Sequence, residues 1–268
     1  MIPVAVLATL CEGSAMVLDP EQPDTVLIGD NERSDRLFRY TLDGVPLDNV
    51  AGLDLAGITL TTRVKDIESL ATDATNVWVV ASQSRTKSGE EKPDRNVILQ
   101  VHDATQTAWT VDWTGCAPCT ADGFEPLRNI EGSAFWSAHL WLGVRGPLVD
   151  GKALLLELAP KPDSTVFGVI ASYPLDLAGL GIVDLTVQPG RPDALWILAG
   201  ASTGKAPPVI FELPGPSATP KRHDLPLPDD AEGFVMLANG GIRVVTDGAT
   251  AKDGGCKTTS TFYRADKL

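Results

Sequence analysis

Short apolar runs recur along this chain. Thr25–Asp30, Val77–Ser82, Leu140–Arg145, Ala194–Gly200 and Ile242–Asp247 are each dominated by Val, Leu, Ile or Trp and bounded by polar or turn-forming residues. β-Branched and aromatic enrichment over that length predicts buried strands rather than helices. A second set follows after a loop: Leu37–Tyr40, Val97–Val101, Ala153–Leu158, Val209–Leu213 and Thr261–Arg264. Weaker strands are predicted beyond these, as at Trp109–Trp113 and Val166–Ile170. The 25 Gly and 20 Pro residues punctuate the chain too densely for long helices.

The runs belong to a repeat. Each strong run is preceded by a shorter apolar stretch that opens on an acid: Glu12, Glu68, Glu131, Asp184 and Glu232. The acids are spaced by about fifty residues, the period of a propeller blade. The expectation is an all-β, five-bladed β-propeller of four-stranded antiparallel blades. It is a single domain over residues 1–268, with blades starting near 11, 66, 129, 181 and 230. The last unit lacks a fourth strand of its own, and residues 3–10 are expected to supply it, closing the ring and covering a bare edge. Trp78, Trp141 and Trp196 occupy equivalent second-strand positions, as repeated core residues do.

In such a ring, the start of each first strand and the end of each second strand share one mouth of the central channel. Glu12, Glu68, Glu131, Asp184 and Glu232 would gather there, joined by Asp30–Arg33, Ser82–Arg85, Arg145–Pro147, Ala201–Thr203 and Asp247. Carboxylates this close repel one another, and protons, arginines or a hard cation can relieve the repulsion. Ca²⁺, which takes oxygen ligands, fits the five acids better than zinc or copper, with Mg²⁺ second. Arg33, Arg85, Arg95 and Arg145 offer the arginine answer, and their guanidinium forks suit an anionic ligand. The bland reading of the same acids is that each ties its blade to the next by accepting backbone N–H bonds. Glu68 and Asp184, which lack a following Gly, suit that reading best.

Several stretches carry a family resemblance. Asp66–Leu70, Ser82–Arg85 with Pro93–Arg95, and Asn129–Gly132 with Gly143–Leu148 are the strongest. Gly181–Leu185 and Ala231–Gly233 extend them over nearly the whole chain. Together they resemble the bacterial domain-of-unknown-function family numbered 3616, with its S-x-S-R and G-x-R-G-P-L elements. The resemblance implies a propeller without an assigned reaction. A looser architectural likeness is to calcium-activated nucleotidases, which are five-bladed with a calcium in the channel. Six-bladed lactonases also open on a Glu-Gly like Glu12–Gly13, but the blade count and the other motifs differ.

Composition narrows the chemistry. With 22 basic against 35 acidic residues, net −13, the chain is not built to neutralise nucleic-acid phosphates or an anionic membrane surface. No apolar run reaches the roughly eighteen residues of a membrane span. Cys116 and Cys119 have redox or zinc spacing, but no second pair completes a zinc site. A loop disulfide or two idle thiols is expected there. No export signal is visible, which leans towards the cytoplasm. His102, His139 and His223 all fall away from the mouth, which disfavours a Ser-His-Asp triad. The functional expectation is a metal-assisted hydrolase of a phosphate or ester bond, monomeric and acting on a small anionic molecule. Arg85 and Arg145 would clamp developing charge, Asp30 or Asp247 would act as base, and Arg33, Ser82, Ser84 and Arg95 would hold the ligand. The alternatives are a non-catalytic propeller binding a small molecule or a protein, or a metal-free isomerase or lyase using the channel carboxylates.

Overall fold

Strand pairing follows the apolar runs. The computed structural model describes residues 1–7, 10–22, 24–31, 33–47, 57–73, 75–86, 88–103, 105–121, 123–250 and 256–268. An N-terminal strand β1 (Ile2–Val6) precedes a first unit of β2 (Gly13–Leu18), β3 (Thr25–Asp30), β4 (Arg36–Thr41) and β5 (Gly57–Thr59). The second unit holds β6 (Ile67–Thr72), β7 (Val77–Ala81), β8 (Ile98–His102) and β9 (Thr105–Asp112). The third holds β10 (Asn129–Trp136), β11 (His139–Val149), β12 (Lys152–Pro160) and β13 (Val166–Leu175). The fourth holds β14 (Gly181–Gln188), β15 (Arg191–Gly200), β16 (Val209–Leu213) and β17 (Lys221–His223). The chain ends with β18 (Ala231–Met236), β19 (Ile242–Thr246), the short hairpin β20 (Ala249–Thr250) and β21 (Cys256–Thr258), and β22 (Thr261–Ala265). Only single 3-10 turns interrupt this all-β chain among the described residues, and no helix is long and apolar enough to cross a membrane.

Each unit is an antiparallel meander, and the last is completed by β1 in the order β1-β22-β19-β18. The second strands are apolar on both faces because both faces are covered: β3, β7 and β19 are buried along their whole length. Five hydrophobic cores lie between neighbouring units, and each draws side chains from two of them. Leu27 meets Val79 between the first and second, and Val80 meets Leu142 between the second and third. Leu155 meets Ile197 between the third and fourth, and Leu198 meets Val244 between the fourth and fifth. Ile28 meets Phe262 between the first and the last. The first strands β2, β6, β10, β14 and β18 contact one another in a closed cycle. Trp78, Trp141 and Trp196 are buried in these cores, as their repetition predicts.

Three features depart from the sequence reading. The closing strand ends at Val6, not Leu10. Leu7 and Leu10 leave the ladder and bury themselves in the core shared by the first and last units. Residues 8 and 9 of the expected strand lie outside the described residues. The fourth strand of the second unit starts at Thr105 rather than Trp109, and its far end pairs in parallel with β13, Val111 opposite Phe167. That pairing satisfies two exposed edges at once and fuses the second and third units into an eight-stranded sheet. The cysteines form two disulfides: Cys116–Cys119, the first of the two alternatives read for that pair, and an unanticipated Cys11–Cys256 that joins the chain's two ends.

Candidate functional site

The register of the first two strands builds the mouth. Gly13 faces Asp30, Ile67 faces Ala81, Asn129 faces Gly146, Gly181 faces Gly200 and Ala231 faces Thr246, so these strand ends meet on one side of the ring. Just inside each of these ends, the first strand carries a bulge of one extra residue. The extra residues are Ser14, Glu68, Glu131, Val183 and Glu232. A bulge breaks the alternation of the strand and re-aims one side chain. Arg145 sits at a matching irregularity of β11, between the Asn129–Gly146 and Ile130–Val144 pairs.

The expected ring of five acids therefore divides. Glu68, Glu131 and Glu232 share one structural position. Asp184 lies one residue past its bulge and points inwards instead, fully buried, its two oxygens accepting the Leu185 and Phe234 backbone N–H groups at 2.8 Å. It ties the fourth unit to the fifth. Glu12 lies just ahead of β2, where its backbone N–H, like that of Cys11, donates to Asp30.

Arg145 organises two of the three bulge glutamates. Its Nη1 donates to Glu131 Oε2 at 2.5 Å and to Glu232 Oε2 at 3.2 Å, and its Nε donates to the Ala201 carbonyl at 3.0 Å. Glu131 is also held by Asn129 Nδ2 at 2.6 Å, and Glu68 by Asn31 Nδ2 at 3.3 Å. Burial raises the Glu131 pKa, Arg145 opposes it and Glu232 adds to it, leaving the group at about 8. Burial, then the charges of Glu131, Asp66 and Glu232, push Glu68 well above the carboxylate range. Glu232 is raised by burial against the pull of Arg145. Asp247, on the rim, is pushed up to about 7 by loss of water around it and then by Glu232 and Glu12. Burial alone would lower the Arg145 pKa, but Glu131 and Glu232 outweigh it. One arginine thus faces a group of carboxylates whose pKa values are all raised, Glu131 to about 8 and Asp247 to about 7.

The remaining predicted residues fall into other roles. Asp30 is fully buried and accepts from the Cys11, Glu12 and Arg33 backbone N–H groups, which makes it a turn anchor rather than a base. Arg85 is paired outside the bulge glutamates, with Nη2 donating to Glu91 at 3.0 Å and to Glu125 at 2.6 Å. Arg33 lies over the Phe38 ring, 4.8 Å from its centroid. Ser82, Ser84 and Arg95 do come together, around Asp66. The two hydroxyls are 2.7 Å apart, Arg95 donates to Ser84 at 3.3 Å, and its Nη1 stands 3.3 Å from the Asp66 carboxylate. Asn31 entered the sequence reading only within the Asp30–Arg33 stretch and Asp66 only within the family resemblance, and neither was given a role. Glu32, Lys87 and the Gly254–Gly255 pair lie outside the described residues.

A hard cation fits this donor set poorly. Both Asp184 oxygens and both Glu131 oxygens already accept hydrogen bonds, and Arg145 holds the position where a cation would balance the glutamates. Among the described residues no three His, Cys, Asp or Glu side chains are placed to hold a metal ion. What the mouth offers is space. Arg145 borders a cavity of about 320 Å³ with Lys205, Asp230 and Glu232, and another of about 600 Å³ with Asn129, Glu131 and Thr203. Ala201 and Gly204 are common to both, so the two form one trough past the guanidinium. The 28% exposure of the Arg145 side chain leaves it open to a ligand despite its ion pairs.

Residues 118–239 match the model of a family described as a protein of unknown function, DUF3616. The resemblance read from the sequence is met there, over the middle of the chain. A search of the curated proteins finds no match. Among solved structures, a GH43 β-1,3-galactosidase aligns with a TM-score of 0.52 and 8% identity, over 98% of this chain and 59% of that one. A glucose dehydrogenase aligns with a TM-score of 0.50 and 14% identity, over 97% of this chain and 98% of that one. The WD40 repeats of RRP9 cover 99% of both chains at 8% identity, with a TM-score of 0.47. These neighbours are β-propeller-like folds, and the likeness is one of fold alone.

Proposed function

We propose that the chain is a five-bladed β-propeller, and that its mouth around Arg145 is the site of a metal-independent enzyme using general acid–base chemistry on a small polar molecule. The five four-stranded units, the five cores between them and the closed cycle of first strands support the blade count. The observation that carries the site is a single guanidinium shared by Glu131 and Glu232 and standing between two cavities. In this reading Arg145 stabilises negative charge developing on a substrate oxygen. Glu131, protonated up to about pH 8, gives a proton, and Asp247, at about 7, takes one. Ester or phosphoester hydrolysis is the reaction class carried forward from the sequence, now without the calcium.

All four cysteines are paired, which supports an oxidising compartment rather than the cytoplasm. The site is assembled within one copy of the chain, in keeping with a monomer. The test is turnover of nitrophenyl esters and phosphoesters across pH by protein dialysed against EDTA. Activity indifferent to chelator is expected, with Arg145→Ala losing about a hundredfold or more in kcat. Activity restored only by calcium, or unchanged in Arg145→Ala, rejects the reading.

A further inference from the structure

We infer that the cavity beside Arg145 takes a small zwitterion, a molecule carrying an amine together with a carboxylate or another anionic oxygen. This names the substrate class of the site proposed above and rests on that reading for where the ligand sits. The cavity of about 320 Å³ is walled by both signs of charge, Arg145 and Lys205 against Asp229, Asp230 and Glu232. Lys205, Asp229 and Asp230 are exposed, and among the described residues none of the three enters an ion pair. Beside the paired Arg145 and Glu232, Lys205 on one side and Asp229 and Asp230 on the other therefore face the same space without satisfying one another.

A ligand of one sign meets opposition there. A simple anion at Arg145 approaches a guanidinium already holding two glutamates, with Asp229 and Asp230 on the same wall and a net charge of −13 behind them. A simple cation approaches Arg145 and Lys205. A dipolar molecule reverses both objections, its anionic end at Arg145 and Lys205 and its ammonium at Asp230 and Glu232. Val183, Ala206 and Pro207 supply apolar wall for the carbons between the two ends. The adjoining cavity of about 600 Å³ offers Asn129, Ser202 and Thr203, which suit a neutral polar extension of the ligand. The volume suits a metabolite of amino-acid size.

The test is calorimetric titration and thermal shift with the free amino acids, β-alanine and γ-aminobutyrate. Acetate, propionate and succinate serve as acids without an amine, and ethylamine and putrescine as amines without an acid. At least one zwitterion should bind with Kd below about 10 mM and about tenfold or more tighter than its single-charge counterparts. Asp230→Asn should weaken zwitterions while leaving acids unchanged, and Lys205→Gln should weaken zwitterions and acids together. Both residues are exposed, so the variants should fold. Acids binding as well as zwitterions, or no zwitterion binding at all, overturns the inference. Zwitterion binding unaffected by Arg145→Ala would also overturn it, because the anionic end is placed there. Zwitterion binding that needs Arg145, without any ester or phosphoester turnover, would overturn the acid–base reading and leave the ligand class standing. Arg145-dependent turnover of nitrophenyl esters with no zwitterion binding would overturn the inference and leave the acid–base reading standing.

Discussion

At the scale of single residues, Glu131 ties stability to pH. Its carboxyl stands at about 8 in the folded chain against an ordinary value of 4.5, so between those limits the native state binds more protons than the unfolded chain. Stability therefore falls as pH rises through that interval and levels off above it. Thermal melts from about pH 5 to about pH 9 should show Tm declining in wild type and a flatter curve in Glu131→Gln, which keeps the Asn129 contact and removes the titration. Equal slopes in the two proteins would place Glu131 in a wetter setting than its 5% exposure indicates. The glutamates of this site were legible because they repeat. The bulges were not: an extra residue leaves no mark on an apolar run, and Ser14 and Val183 occupy the position that Glu68, Glu131 and Glu232 occupy elsewhere. That one-residue offset is why Asp184 became a tie between units. Nor could the sequence choose between Arg85 and Arg145, since the choice depends on Glu125, carried on the short 3-10 turn Glu125–Leu127.

At the scale of elements, the position of Arg145 depends on how closely two strands approach. Gly181 opens β14, and a Cβ built there would collide with the backbone carbonyl of Arg145 on β11. Gly181→Ala must push β11 aside and carry the guanidinium with it, at a cost of about 1–3 kcal/mol in urea unfolding. Binding or turnover at the mouth should fall further than stability alone explains, because the shift reaches the reacting group. Gly215→Ala, at a position with open space around it, is the control and should stay near wild type. A Gly181→Ala protein as stable and as competent as the control would mean that the two strands can part freely. The strands themselves were readable, since runs such as Val77–Ala81 are buried along their whole length and carry no polar positions to blur them. β9 was misjudged at its start because Thr105, Gln106 and Thr107 form an outer strand, where polar side chains meet solvent and periodicity fades. Its parallel union with β13 leaves no sequence trace, because edge pairing is made by backbone groups that every residue shares.

At the scale of the whole molecule, the ring must be closed, and the chain closes it twice. β1 pairs with β22, and the Cys11–Cys256 disulfide joins the approach to β2 to the hairpin strand β21. The strand closure was legible from a unit one strand short. The covalent closure was not, since four cysteines admit three pairings and only the fold brings residues 245 positions apart together. The two disulfides should differ sharply in worth. Cross-linking stabilises mainly by restricting the unfolded chain, and the restriction grows with loop length. Cys11–Cys256 spans 245 residues, whereas Cys116–Cys119 spans 3. In guanidinium unfolding, Cys11→Ser with Cys256→Ser should lower stability by about 3–5 kcal/mol. Cys116→Ser with Cys119→Ser closes no long loop, so its smaller loss should come from the polar hydroxyls placed in a buried site. The first pair should also lose the flanking contact more readily than the cores. Hydrogen exchange would then quicken at β1, β21 and β22 while β7 and β15 stay protected. Equal losses from the two pairs, or exchange that quickens uniformly round the ring, would show that β1 pairing with β22 carries the closure and that the disulfide only follows it.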